Sequence, residues 1–112
     1  MARIKELYTK LPKSKFDLFS YEIDWESLFD QDVISRICKP WIGKKIKELM
    51  GVEEPTMINM VVKLLLQKCT QDTLLKKISS ILDDASEEFV EKLWKLIVFE
   101  DIKIKDGIYS LN

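Results

Sequence analysis

Apolar residues in this chain recur at the i, i+3, i+4, i+7 spacing of one helix face, in short runs separated by prolines and glycines. That pattern leaves little choice of architecture. Isolated helices shorter than about 12–15 residues are marginal in water, so each run must bury its apolar stripe against the others. No alternating apolar–polar stretch is long enough to build a sheet, and there is no internal repeat or low-complexity segment. The 112 residues, 46% of them hydrophobic, suffice for one modest core. The expected fold is all-α and compact.

Ile4, Leu7, Tyr8 and Leu11 give a first helix, which Pro12 stops. Residues 12–24 read as an irregular connection, with Phe16, Leu18, Phe19, Tyr21 and Ile23 laid along the core. Asp24 is placed to cap a helix from Trp25, with Leu28, Phe29, Val33 and Ile37 inward. Pro40 suits the first position of the next helix, whose inner stripe is Ile42, Ile46, Leu49 and Met50, with Gly51 as the left-handed stop. Pro55 opens another, with Ile58, Val61, Val62, Leu65, Leu66 and Cys69 inward. Thr70 or Asp72 caps the next, facing Leu74, Leu75, Ile78, Ile81 and Leu82 to the core. Asp84 with Glu87 has the spacing of a capping box before the longest helix, through Phe89, Val90, Leu93, Trp94 and Ile97 to about residue 102. Asp106-Gly107 marks a turn, and the remainder, including Tyr109, reads as a tail.

Charge is arranged in blocks although the net value is only −1. Arg36, Lys39, Lys44, Lys45 and Lys47 occupy a stretch without an acid, and Arg3, Lys5, Lys10, Lys13 and Lys15 face Glu6 alone in the first fifteen residues. Residues 17–32 and 83–91 are acidic. A two-signed surface is expected. The two basic groups together could follow a phosphate backbone, where each neutralised phosphate releases counterions. Trp25, Trp41 and Trp94 sit at apolar helical positions and read as core, so no aromatic platform for stacking bases is foreseen.

Catalysis finds little support. Histidine is absent, which removes the commonest general base and metal ligand, and three separated glycines cannot form a phosphate-cradling loop. Cys38 and Cys69 fall at apolar-periodic positions and read as reduced core thiols. No enzyme activity, cofactor, metal or membrane association is expected, and the domain is expected to be soluble, intracellular and monomeric.

Pro40-Trp41-Ile42 followed by Lys44-Lys45-Ile46, the acidic turn from Gly51 to Glu54, then Ile81-Leu82-Asp83-Asp84 and the run from Phe89 to Ile97 resemble the PWI domain family, named for its Pro-Trp-Ile signature. The leading segment, Lys10-Leu11-Pro12 and Phe16 to Trp25, is similar to one subtype of that family. The resemblance implies a four-helix core with additional N-terminal helical segments. The expected organisation is then an N-terminal helix and connecting segment at 1–24, the bundle at 25–105 and a tail at 106–112. It also implies a nuclear role in pre-mRNA splicing and processing. Binding would be to RNA and DNA with little sequence preference, alongside splicing-factor proteins. Pro40, Trp41 and Ile42 carry over as fold-determining residues, and Lys44 and Lys45 as basic positions beside them. The alternative is a protein-interaction bundle within the spliceosome, using the acidic segment 17–32.

Overall fold

A computed structural model describes the backbone of residues 2–107 and the side chains of residues 6–107. The readings of Ile4 as an inward side chain, and of Tyr109 and the tail beyond Gly107, lie outside the described residues. The elements are α1 (Ala2–Thr9), α2 (Lys15–Ser20), α3 (Trp25–Asp30), a π-helical turn (Ile34–Cys38), α4 (Lys39–Met50), α5 (Pro55–Leu66), α6 (Gln71–Leu82), a 3-10 turn (Asp83–Ala85) and α7 (Ser86–Lys105). The described residues contain no strand.

Helix α7 is the centre of the fold. Helices α1, α2, α3 and α6 and the π turn all pack on it, and every residue from Ile97 to Ile102 is buried. Phe89, Leu93 and Ile97 on α7 join Leu28, Ile42, Ile46, Val61, Leu65, Leu74 and Ile78 in one core, with no exposed surface on any of them. Each such side chain contributes about 1.5–3 kcal/mol through burial. Leu7 and Leu18 enter the same core, so the segment before residue 25 is an integral layer of it.

Residues 12–24 are more regular than their sequence suggests. Ser14 caps α2 by accepting the Asp17 N–H at 3.0 Å, and α2 then places Leu18 inside. Phe16 is not along the core: it is 79% exposed. Asp24 caps α3 as expected, accepting the Ser27 N–H at 3.2 Å and the Ser27 hydroxyl at 2.7 Å. Those bonds hold the Asp24 carboxyl below its ordinary range, the hydroxyl contributing most. Thr70 caps α6 in the same way, through the Thr73 N–H at 3.1 Å.

Pro40 does not open a helix. The backbone is already helical from Ile34, and Pro40 is the second residue of α4. In a regular α-turn its ring would press on the Arg36 carbonyl. The wider π turn, closed by the Lys39 N–H on the Ile34 carbonyl, relieves that crowding and lets the two segments run on as one. The helix expected from Trp25 through Ile37 is instead divided by Asp32, whose φ of 55° turns the chain. Arg36 Nε and Nη2 donate to the Gln31 carbonyl at 3.1 and 2.9 Å across that turn.

Gly51 adopts φ 80° and ends α4 as expected, its N–H bonded to the Lys47 carbonyl. The inner stripes differ in register from the sequence reading. On α5 the buried line is Met57, Val61 and Leu65, while Leu66 is exposed. Leu49, Met50 and Ile81 also face out. The Asp84–Glu87 capping box is absent. Asp83 takes φ 48°, and a 3-10 turn leads directly into α7 with Ala85 already helical. A box requires an extended cap residue, and no such residue exists there.

Cys38 is fully buried and Cys69 half-buried. Burial, then the nearby Glu100, pushes the Cys38 thiol up to about 12. Burial pushes Cys69 up to about 11. Both thiols are therefore protonated near neutrality and weakly reactive.

The cap at Asp24 gives a pH signature. Its folded-state pKa is depressed, so its contribution is present above the unfolded value, about 3.9, and is lost as pH falls through the folded one. In urea titrations Asp24→Ala should lower the unfolding midpoint at neutral pH, and the difference from wild type should close below about pH 3. A constant difference across that range would assign the effect to packing.

Candidate nucleic-acid interface

The geometry begins at Trp41, in the first turn of α4. Its ring lies against Phe89 of α7, with centroids 5.6 Å apart and planes at 43°, and remains half-buried. Trp41 thus ties α4 to α7 while leaving one edge at the surface. Trp94 is 2% exposed, in edge contact with Trp25 at 6.3 Å and with Phe19 at 6.4 Å.

One turn beyond Trp41, Lys44 and Lys45 flank the exposed edge because residues three and four apart share a helix face. Lys92 and Lys95 come up on the opposite wall from α7. With Glu48 these residues line an open depression of about 370 Å³. Four lysines from two helices therefore line one depression together with Trp41. Their counter-charges are local: Lys45 lies 3.5 Å from Glu48, Lys92 2.7 Å from Glu88 and Lys95 3.5 Å from Glu91. Among the described residues no carboxylate pairs with Lys44. The hydrogen bond from Lys92 holds Glu88 below the usual carboxylate range, and the same bond raises Lys92. The Lys92 and Lys95 side chains are about half exposed, whereas that of Lys45 is only 20% exposed. Exposed ion pairs are typically worth under about 1 kcal/mol, so an incoming phosphate can displace the two on α7.

The other sequence candidates are distributed. Lys39 and Lys47 are exposed on α4 but do not line the depression. Arg36 reaches the end of α3. Lys10 forms a 2.9 Å pair with Asp106 beyond one end of α7, and Lys15 lies 3.9 Å from Glu87 at the other. At 1.5 Å per residue those positions are separated by about 28 Å along the helix. Lys13 is exposed, and the side chains of Arg3 and Lys5 lie outside the described residues. Lys92 and Lys95 escaped the sequence reading because each is matched by a glutamate four residues earlier, so the segment looks neutral. Their signal was the outward arc 88, 91, 92 and 95 on a helix whose inward arc is plain.

Comparison with known proteins agrees with this architecture. The PWI domain profile matches residues 36–104. RNA-binding motif protein 25 of Arabidopsis thaliana is 38% identical over 104 residues, which is 93% of this chain and 12% of that protein. RNA-binding protein 25 of Homo sapiens is 35% identical over 105 residues, 94% of this chain and 12% of its own length. U1 snRNP-associated protein usp107 of Schizosaccharomyces pombe is 24% identical over 95 residues, 85% of this chain and 14% of that protein. The chain thus spans a small fraction of the relatives it matches. It belongs to the PWI domain family.

The two tryptophans should differ in their structural weight. Trp94→Ala should cost about 4 kcal/mol and Trp41→Ala about half as much, because only the first ring is fully enclosed. Chemical denaturation of both variants measures the difference. An equal or larger loss at Trp41 would contradict the half-buried placement.

Proposed function

We propose that this PWI domain binds RNA with little sequence preference, through phosphate contacts in the depression between α4 and α7, as part of a pre-mRNA splicing factor acting in the nucleus. The observation that carries the reading is that Lys44, Lys45, Lys92 and Lys95, from two helices, line one open depression beside Trp41. Ammonium groups bind phosphate as point charges and read no base edges, so single-stranded DNA should bind by the same contacts. Lys39, Lys47, Lys13 and Lys15 would extend the path of the backbone beyond the depression, with Arg3 and Lys5 as further contributors. Names of relatives that include RNA binding and U1 snRNP association support the setting.

The alternative use of residues 17–32 as an acidic docking segment draws less support. Asp24 is occupied as a helix cap, and Glu26 pairs with Lys68 at 2.6 Å.

Fluorescence anisotropy with a labelled oligouridine tests the proposal. If four phosphates are engaged, log K should fall against log salt with a slope of about −3 between about 50 and 200 mM. Lys44→Gln and Lys95→Gln should each flatten that slope by about 0.7 and leave the fold intact. Affinity that ignores salt, or that survives neutralisation of all four lysines, overturns it.

A further inference from the structure

At the far end of α4 the surface changes character. Met50 from the last turn of α4, Glu54, Thr56, Met57 and Met60 from the start of α5, and Ile81 from the end of α6 enclose an open groove of about 320 Å³. Its walls are mainly apolar. Leu49 and Val52 stand beside it in the chain and are 40% and 56% exposed. Leu49, Met50 and Ile81 are residues whose spacing suits a core, yet the fold leaves them on the outside. Three methionines in one small groove give walls that can adapt to a guest side chain.

The rim is acidic. Glu54 is part of the wall, Glu53 precedes it, and Asp83 and Asp84 follow Ile81 at the 3-10 turn. None of these four forms a salt bridge among the described residues. Lys47, Lys63 and Lys77 stand about one turn from Met50, Met60 and Ile81 but do not line the groove, and the acids still outnumber them by one.

We infer that this groove docks an amphipathic helix of a partner protein, with leucine- or methionine-sized residues on one face and lysines or arginines beside them. Charge complementarity selects that occupant. With a carboxylate and no cation in its lining, the groove is unsuited to nucleic acid or anionic lipid headgroups, and so to the ligand of the α4–α7 depression. No strand among the described residues offers an edge for an extended peptide, whereas a cleft between helices accepts a helix through anchors at i, i+3, i+4 and i+7. The proposal is independent of RNA binding: it uses the opposite end of α4 and the opposite sign of charge.

The test uses three synthetic peptides and the methyl resonances of Met50, Met57 and Met60. The first peptide has leucines at i, i+3, i+4 and i+7 with lysines elsewhere. The second keeps the leucines and replaces the lysines with glutamates. The third has the lysine-rich composition with the leucine spacing scrambled. The first should shift the three methionine methyls saturably, and the other two should bind about tenfold more weakly or worse. Ile81→Ser and Glu54→Lys should each weaken binding of the first peptide, without changing its far-UV signal or that of the protein. Equal binding by all three peptides, or shifts centred on residues 17–32, would refute the assignment. Concentration-dependent shifts of the same methyls without any peptide would make the occupant a second copy of this chain and equally overturn it.

Discussion

Everything else in this domain is arranged around a helix segment that has no solvent side. From Ile97 to Ile102 α7 is enclosed on all faces, which requires neighbours all round it: α1, α2 and α3 as well as α6 and the π turn. Two of those six residues are acids. Glu100 is 2.9 Å from Lys103, and Asp101 accepts the Tyr21 hydroxyl at 2.6 Å and lies 3.0 Å from Lys105. Among the described residues, one oxygen of each carboxylate has no hydrogen-bond partner. Charges taken out of water are tolerated only when such partners are supplied, so the Tyr21 contact is a condition of burying α7 at that depth. Burial, and then the bond to Asp101, raises the Tyr21 phenol above its ordinary value, keeping it a donor across the physiological range.

Several start and stop signals that act within a few residues agree with the structure. Gly51 supplies a left-handed φ, Asp24 and Thr70 present side-chain oxygens to orphan N–H groups, and Pro55 begins α5. Tertiary context decided the rest. The apolar residues of α5 spread around most of its circumference, so spacing could not choose between Leu65 and Leu66. Pro40 looks like a helix start when read locally, but a π turn can absorb its ring inside a continuing helix. Asp84 and Glu87 have the spacing of a box, but the backbone at Asp83 left no extended residue to form it. Half of the candidate interface was legible for the same reason. Lys44 and Lys45 lie in an unbalanced basic run, whereas Lys92 and Lys95 become partners of that run only because the indole of Trp41 rests on Phe89.

Helix α4 consequently carries two surfaces of opposite character within twelve residues. Its first turns meet α7 and gather cations. Its last turn passes the edge of the core and ends among methionines and acids. A rigid rod only about 18 Å long then fixes the relation between the two surfaces, at 1.5 Å per residue. Ligands at the two ends would be held at a set distance without any linker.

The hydroxyl of Tyr21 also bears on what can be cut and moved. The family profile begins at residue 36, yet Leu7, Leu18, Leu28, Val33 and Tyr21 all lie before it and all belong to the interior or to the satisfaction of Asp101. A fragment begun at Arg36 would bare one flank of α7 and strip a buried carboxylate of a hydrogen-bond donor. The segment shared across the family is therefore shorter than the smallest piece of this chain that can keep its interior dry. In chimeras and domain grafts, the sensible seam lies upstream of the signature, ahead of Leu7.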